Sequence, residues 1–166
     1  MRVALMIPCY VDTFYPRVGI ATLELLERLN VDVVYPAGQT CCGQPMANSG
    51  CYHEAKATEE HFLRVFHGFD YIVTPSGSCT HHVRNKFTAA PDSPDRQKVS
   101  ASKYDLVEFL HDILQVREFP WASFAHKIAL HTSCSAIRGL KMASMSERVH
   151  DPKFSKPKTL LQGVFR

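Results

Sequence analysis

The chain opens on a continuous apolar run. Residues 2–8 read RVALMIP, a stretch of strand length that predicts a buried strand rather than an alternating, half-buried one. Residues 18–29 then place Val18, Ala21, Thr22, Leu25, Leu26 and Leu29 on one side at helical spacing, with Glu24, Glu27 and Arg28 opposite. An amphipathic helix is predicted there, and Pro16 suits its first turn. Residues 31–35 form a second short strand rich in branched side chains, closed by Pro36 and Gly38. Residues 39–45, QTCCGQP, have loop chemistry. From about Gly50 to Phe66 a second helix is predicted, with Ala55, Phe62, Val65 and Phe66 inward and Glu60 paired to Arg64 four residues on. Residues 70–74 predict a third strand, and Pro75-Ser-Gly-Ser-Cys79 a turn that opens a third helix. Residues 89–97 read as a surface excursion. Ser102 and Asp105 have capping-box spacing before Leu106, Phe109, Leu110, Ile113 and Leu114, which predicts another amphipathic helix. Residues 127–132 are expected to be a fourth strand.

Strands alternating with helices predict an α/β domain, Rossmann-like and three-layered, with a mostly parallel sheet. One internal echo refines the organisation. Val3-Ala-Leu-Met-Ile-Pro-Cys9 aligns without gaps on Ile128-Ala-Leu-His-Thr-Ser-Cys134, matching Ala, Leu and Cys. Residues 1–125 therefore read as one full cysteine-rich repeat, and 126–166 as the start of a second, incomplete one packed on the first.

Composition narrows the function classes. With 45% hydrophobic and 21% charged residues among 166, the chain has the make-up of a globular domain, not of a disordered or fibrous one. No apolar run approaches the ~20 residues of a membrane span. The N-terminal stretch lacks the long apolar core and small-residue cleavage site of a secretory signal, so a cytoplasmic protein is expected. The net charge of +3 is mild and dispersed; its densest group, Lys153, Lys156 and Lys158, is interleaved with proline. No nucleic-acid partner is expected. The unusual feature is six cysteines, Cys9, Cys41, Cys42, Cys51, Cys79 and Cys134. In a reducing compartment these point to metal binding, reactive thiols or simple burial rather than structural disulfides.

Their placement carries the main signal. In a parallel sheet the residues just past the strand ends converge on one edge, where ligands bind. Cys9, the Cys41-Cys42 pair, Cys79 and Cys134 each follow a predicted strand, so five of the six thiols are expected on one rim. Zinc sites draw on C-x2-4-C knuckles, which are missing, and adjacent cysteines serve poorly as two ligands of one small ion. An iron–sulfur cluster offers several metal atoms, so neighbouring thiolates can address different irons. The adjacent pair thus favours a cluster over zinc, with scattered buried cysteines as the plainer alternative. Gly43 would let backbone N–H groups approach the cluster sulfurs. Cys51 reads as a bystander thiol. His131 reads as a strand-end histidine, and Trp121 as a packing residue. Of His81 and His82, at least one is expected to face solvent, the other being a candidate donor behind the site. Asp12, Tyr15 and Arg17 are candidates to shape the rim. Glycine-rich nucleotide fingerprints and P-loops are missing from the sequence.

The arrangement of Cys9, Cys41-Cys42-Gly43 and Pro75-Ser-Gly-Ser-Cys79 resembles the cysteine-rich CCG domain of heterodisulfide reductase B subunits and related iron–sulfur oxidoreductases. FYPRVGIATLELLERL, GQTCCGQPMANSG, TPSGSC and HTSCSAIRG are most similar to the lactate-utilisation branch, which in turn resembles the iron–sulfur subunits of glycolate oxidation. The resemblance implies a [4Fe-4S]-type cluster on Cys9, Cys41, Cys42 and Cys79, with Cys134 matching the first cysteine of the family's second motif. Heterodisulfide reductase relatives carry a Cys-x-x-Cys pair as their last element. Here Ser76 stands at the first of those positions, a harder oxygen donor that puts the cluster geometry in question. The family's second Cys-Cys-Gly is missing from this sequence, so the chain reads as truncated, and empty thiols or an adventitious metal such as zinc are expected on purification. The implied role is electron transfer for lactate or glycolate oxidation with other subunits as partners, oligomerisation being left open. No catalytic acid or base is singled out. The alternatives are a thiol-based redox protein in which Cys41 and Cys42 react directly, and a zinc-stabilised interaction module.

Overall fold

Four short parallel strands organise the first part of the chain: β1 (Val3–Leu5), β2 (Val33–Val34), β3 (Tyr71–Thr74) and β4 (Lys103–Asp105), in the order β2-β1-β3-β4. This computed structural model describes residues 1–87, 90–162 and 164. The chain divides into two units, Met1–Asp105 and Leu106–Arg166. Among the described residues no helix is long and apolar enough to cross a membrane.

The first unit is the predicted α/β layer arrangement. Its helices are α1 (Cys9–Phe14), α2 (Pro16–Arg28), α3 (Gln44–Asn48), α4 (Tyr52–Phe66), α5 (Gly77–Asn85) and α6 (Pro94–Ser102). β1 is buried along its whole length, as its unbroken apolar run requires for a strand covered on both faces. Pleating puts Ala4, Met6 and Ile72 on one face, where they pack with Phe62 and Phe66 of α4, Val83 of α5 and Val99 of α6. On the other face α2 approaches so closely that a Cβ added at Gly19 would stand 3.2 Å from Ile7. The buried stripe of α2 is accordingly Gly19, Thr22 and Leu26. Val18, expected inward, is 43% exposed, because the small residue rather than the branched one faces the sheet. Glu60 pairs with Lys56 at 4.0 Å rather than with Arg64.

Two expectations are corrected here. The fourth strand is Lys103–Asp105, which pairs with β3 in the register Ile72↔Lys103 to Thr74↔Asp105. Residues 127–132 belong to no strand, and Ile128 and Leu130 are each 48% exposed. Ser102 therefore ends α6 instead of capping a following helix, and the N-cap serine is Ser93, whose hydroxyl accepts from the Arg96 N–H at 3.2 Å. Of the expected excursion 89–97, Ala89 lies outside the described residues, and Pro94 opens α6.

In the second unit α7 (Leu106–Glu108) continues into a π-helical turn, Phe109–Ile113. A second such turn, Ser135–Gly139, precedes α8 (Lys156–Leu161). Ala136, Leu140 and Met142 form its small core. Lys156 donates to the Asp112 carboxylate, which also takes the His111 Nδ1 contact at 2.7 Å.

Candidate metal centre

The strand order reverses between β1 and β3: the chain passes from β1 outward to β2, then returns to β3 on the other side of β1. At such a switch point the connections leave on opposite faces and open a crevice beyond the strand ends. Three loops carry thiols there. Cys9 starts α1 just past β1, Cys41 and Cys42 lie between β2 and α3, and Cys79 sits in the first turn of α5 beyond β3.

The four sulfurs perturb one another. Cys9 Sγ donates to Cys41 Sγ at 3.4 Å, and the Cys42 thiol interacts with both Cys41 and Cys79. The sequence places Cys41 and Cys79 where neighbouring polar groups favour the thiolate. Cys41 is lowered to about 5, first by the Cys42 thiol and then, against the cost of burial, by the N–H groups of Gly43 and Cys42 and by Cys9. Cys79 is lowered to about 6 by the Cys42 thiol, against burial, with help from the Ser76 hydroxyl and the Lys103 charge. The other two thiols move the opposite way. Burial and Cys41 push the exposed Cys9 up to about 11, and hydrogen bonding to Cys41 and Cys79, together with burial, raises Cys42.

The loops are held by groups the sequence reading did not single out. The Gln39 side chain accepts from the Ile7 N–H at 2.8 Å and donates to the Leu5 carbonyl at 3.1 Å, continuing the β1 ladder with an amide side chain where β2 has ended. His61 Nε2 contacts the Gly38 carbonyl at 2.7 Å. Gly43 adopts φ 84°, the left-handed conformation that glycine takes most cheaply, and lies over the buried Glu59 of α4. Ser76 caps α5, its hydroxyl 3.4 Å from the Cys79 N–H. Thr74, Thr80 and Lys103 bury polar atoms with no hydrogen-bond partner among the described residues.

Other expected residues fall outside this network. Cys51 is exposed at the N-cap of α4. Cys134 is exposed in the second unit, just before Ser135–Gly139. His82 is fully buried, its Nε2 3.6 Å from Glu59 Oε1, whereas His81 is half-buried. Asp12, Tyr15 and Arg17 are exposed. His131 is exposed, and Trp121 packs edge-on against Phe119. Among the described residues no three His, Cys, Asp or Glu side chains are arranged to hold a single metal ion.

Comparison with known proteins identifies relatives of this chain. A family model described as "CCG: Cysteine-rich domain" matches residues 3–84, which span β1 to α5 and all four thiols. The chain is 42% identical over 151 residues to lactate utilization protein A of Geobacillus kaustophilus (strain HTA426), covering 87% of this chain and 63% of that protein. It is 43% identical over 142 residues to lactate utilization protein A of Bacillus subtilis (strain 168), covering 83% and 59%. The chain thus spans about three-fifths of the length of these curated relatives. No solved structure matches it significantly. Residues 3–84 are a cysteine-rich domain of the CCG family, in a chain homologous to lactate utilization protein A over most of its length.

Proposed function

We propose that Cys9, Cys41, Cys42 and Cys79 hold an iron–sulfur cluster of the [4Fe-4S] type, and that the chain serves as an electron-transfer component in oxidation of a 2-hydroxy acid such as lactate. The observation that carries this reading is the convergence of four thiols from three strand ends at the switch point. The donor set fits in kind: thiolates are the ligands such clusters take, and two of the four are held as thiolates near neutral pH. The Cys9 and Cys41 sulfurs touch at 3.4 Å and must part to admit a cluster. Both sit at the rim rather than in the core, where movement costs least. When bound, the cluster would accept and release single electrons.

The chain's own groups prepare the site. The N–H groups of Gly43 and Gln44 favour the thiolate forms of Cys41 and Cys42, and the Ser76 hydroxyl favours that of Cys79. Ser76 is thus engaged with a ligand and with the α5 N-terminus. The names of the relatives support lactate as the substrate class and other subunits of an oxidation complex as partners. A cytoplasmic location fits six unpaired cysteines. The echo between residues 3–9 and 128–134 supports reading 1–125 as a full repeat and 126–166 as the opening of a second, with Cys134 at its motif position.

Anaerobic reconstitution with iron and sulfide tests the reading. The wild-type chain should take up both and develop charge-transfer absorption, and Cys42→Ser should take up neither. Stoichiometric zinc without sulfide, or full assembly in Cys42→Ser, would refute it. One observation favours a thiol-redox reading instead, the contact between Cys9 and the acidic Cys41. That reading predicts a Cys9–Cys41 disulfide on mild oxidation and no sulfide uptake.

A further inference from the structure

Lys103 opens β4 opposite Ile72. Paired residues of neighbouring strands share a face, so its side chain enters the face of Ala4, Met6 and Ile72, whose core includes Cys42 and Cys79. It is fully buried, and its Nζ has no hydrogen-bond partner among the described residues. Lysine is almost never fully buried unless paired, because the ammonium loses its hydration. Burial pushes Lys103 down to about 7. What pulls the other way is Cys79 first, then Cys42 and then Asp105, while the Arg84 charge adds to the depression. The negative charge nearest in effect is therefore that of the cysteine site, and the lysine in turn lowers Cys79.

We infer that Lys103 is a positioning residue for charge: its buried ammonium faces the Cys42 and Cys79 sulfurs and favours the more negative, one-electron-reduced state of the cluster they hold. This rests on the cluster reading above. Reduction adds one electron and one negative charge to the cluster. The titration is run below pH 7, where the lysine is protonated before and after reduction, so no bond is made or broken at Nζ. A fixed cation in a low-dielectric site stabilises that added charge far more than a solvated one would. Hydrogen bonding and burial around a cluster set its potential in the same way.

The test uses the full chain, reconstituted as wild type, Lys103→Met and Lys103→Arg. Iron and sulfide are counted first, then the midpoint is measured by dithionite titration followed by electron paramagnetic resonance. Lys103→Met should keep its cluster and reduce at least tenfold less favourably, a midpoint lower by about 59 mV or more for one electron. Lys103→Arg should stay within threefold of wild type. Loss of the cluster in Lys103→Met alone, with Lys103→Arg intact, also supports the inference, since the charge is then needed to hold the anionic group. A wild-type midpoint in Lys103→Met overturns it. So does an equal shift in both variants, which would make shape rather than charge decisive, and so does loss of fold in both by circular dichroism. If wild type itself takes up no iron and sulfide, the cluster reading fails and the inference falls with it. Failure with the wild-type cluster intact strikes the lysine alone.

Discussion

Alanine at Gly43 and at Gly50 separates backbone strain from a specific contact beneath the candidate centre. Both glycines lie in the left-handed region, at φ 84° and 79°. Alanine at either therefore incurs about 1–2 kcal/mol of backbone cost. They differ in what a Cβ would meet. At Gly50 nothing lies within 4 Å, whereas at Gly43 the Glu59 Cγ stands at 3.3 Å and the Ala55 carbonyl oxygen at 3.7 Å. Glu59 has little room to give way. It is fully buried, its Oε2 accepts the Ala90 N–H at 2.9 Å, and its Oε1 lies 3.6 Å from His82 Nε2. Leaving a buried hydrogen-bonding group unsatisfied costs about 1–3 kcal/mol; stretching the Ala90 bond should make Gly43→Ala about 1–2 kcal/mol less stable than Gly50→Ala. For a chain of this size that separates the two thermal midpoints by about 2–8 °C. Thermal melts by circular dichroism would measure the difference, and amide exchange would locate it, with the Ala90 N–H losing protection in Gly43→Ala only. Equal midpoints, or unchanged Ala90 protection in Gly43→Ala, would show that Glu59 is not the wall under the cysteine loop.

Two further outcomes follow from the same geometry. In the metal-free protein, alkylation rates track the thiolate fraction, so Cys41 should be modified with a midpoint near pH 5 and Cys9 only as pH climbs toward about 11. At pH 7 the half-buried Cys41 should therefore react faster than the exposed Cys9; mass spectrometry of the labelled peptides decides it, and the opposite order would mean that exposure alone governs reactivity. Phe62→Ala removes a buried ring that packs 4.4 Å from Phe66 and 5.6 Å from Phe87, centroid to centroid, at a cost of about 3–5 kcal/mol. Phe14→Ala, at a ring that is 65% exposed, should stay within about 0.5 kcal/mol of wild type by urea denaturation, and similar losses in the two would contradict the assigned core.

The legible parts of this chain are those where local pattern and tertiary position coincide. The apolar run of β1 and the branched residues of β2 and β3 need burial on both faces, and a parallel sheet supplies it. Each strand end then delivers its cysteine to one edge, which accounts for Cys9, Cys41, Cys42 and Cys79; the same reasoning put Cys134 there as well, after a strand at 127–132 that does not form. β4 was not legible, because Lys-Tyr-Asp carries no apolar signature; its pairing follows from the open edge of β3. Residues 127–132 show the converse, an apolar stretch with strand-like composition and no partner in the sheet. The face of α2 was legible at Thr22 and Leu26 but not at Val18 and Ala21, which are exposed, since Gly19 is chosen for closeness to Ile7, a property hydrophobicity does not record. Gln39 and Lys103 escaped for a related reason. A side-chain amide that stands in for a strand, and an ammonium buried beneath thiols, exist only once the loops have folded.

The opposite shifts of the two pairs of thiols also bear on a proton count. With Cys41 and Cys79 ionised near neutral pH and Cys9 and Cys42 still protonated, the metal-free thiols already carry half of the negative charge that four thiolate ligands would bring. If these four thiols ligate a cluster as proposed, its binding at neutral pH should release about two protons rather than four, because only the remaining thiols would have to ionise. Below about pH 6 and then pH 5, where Cys79 and Cys41 of the metal-free protein take up protons, ligation would have to release more protons, and affinity would fall more steeply with acid.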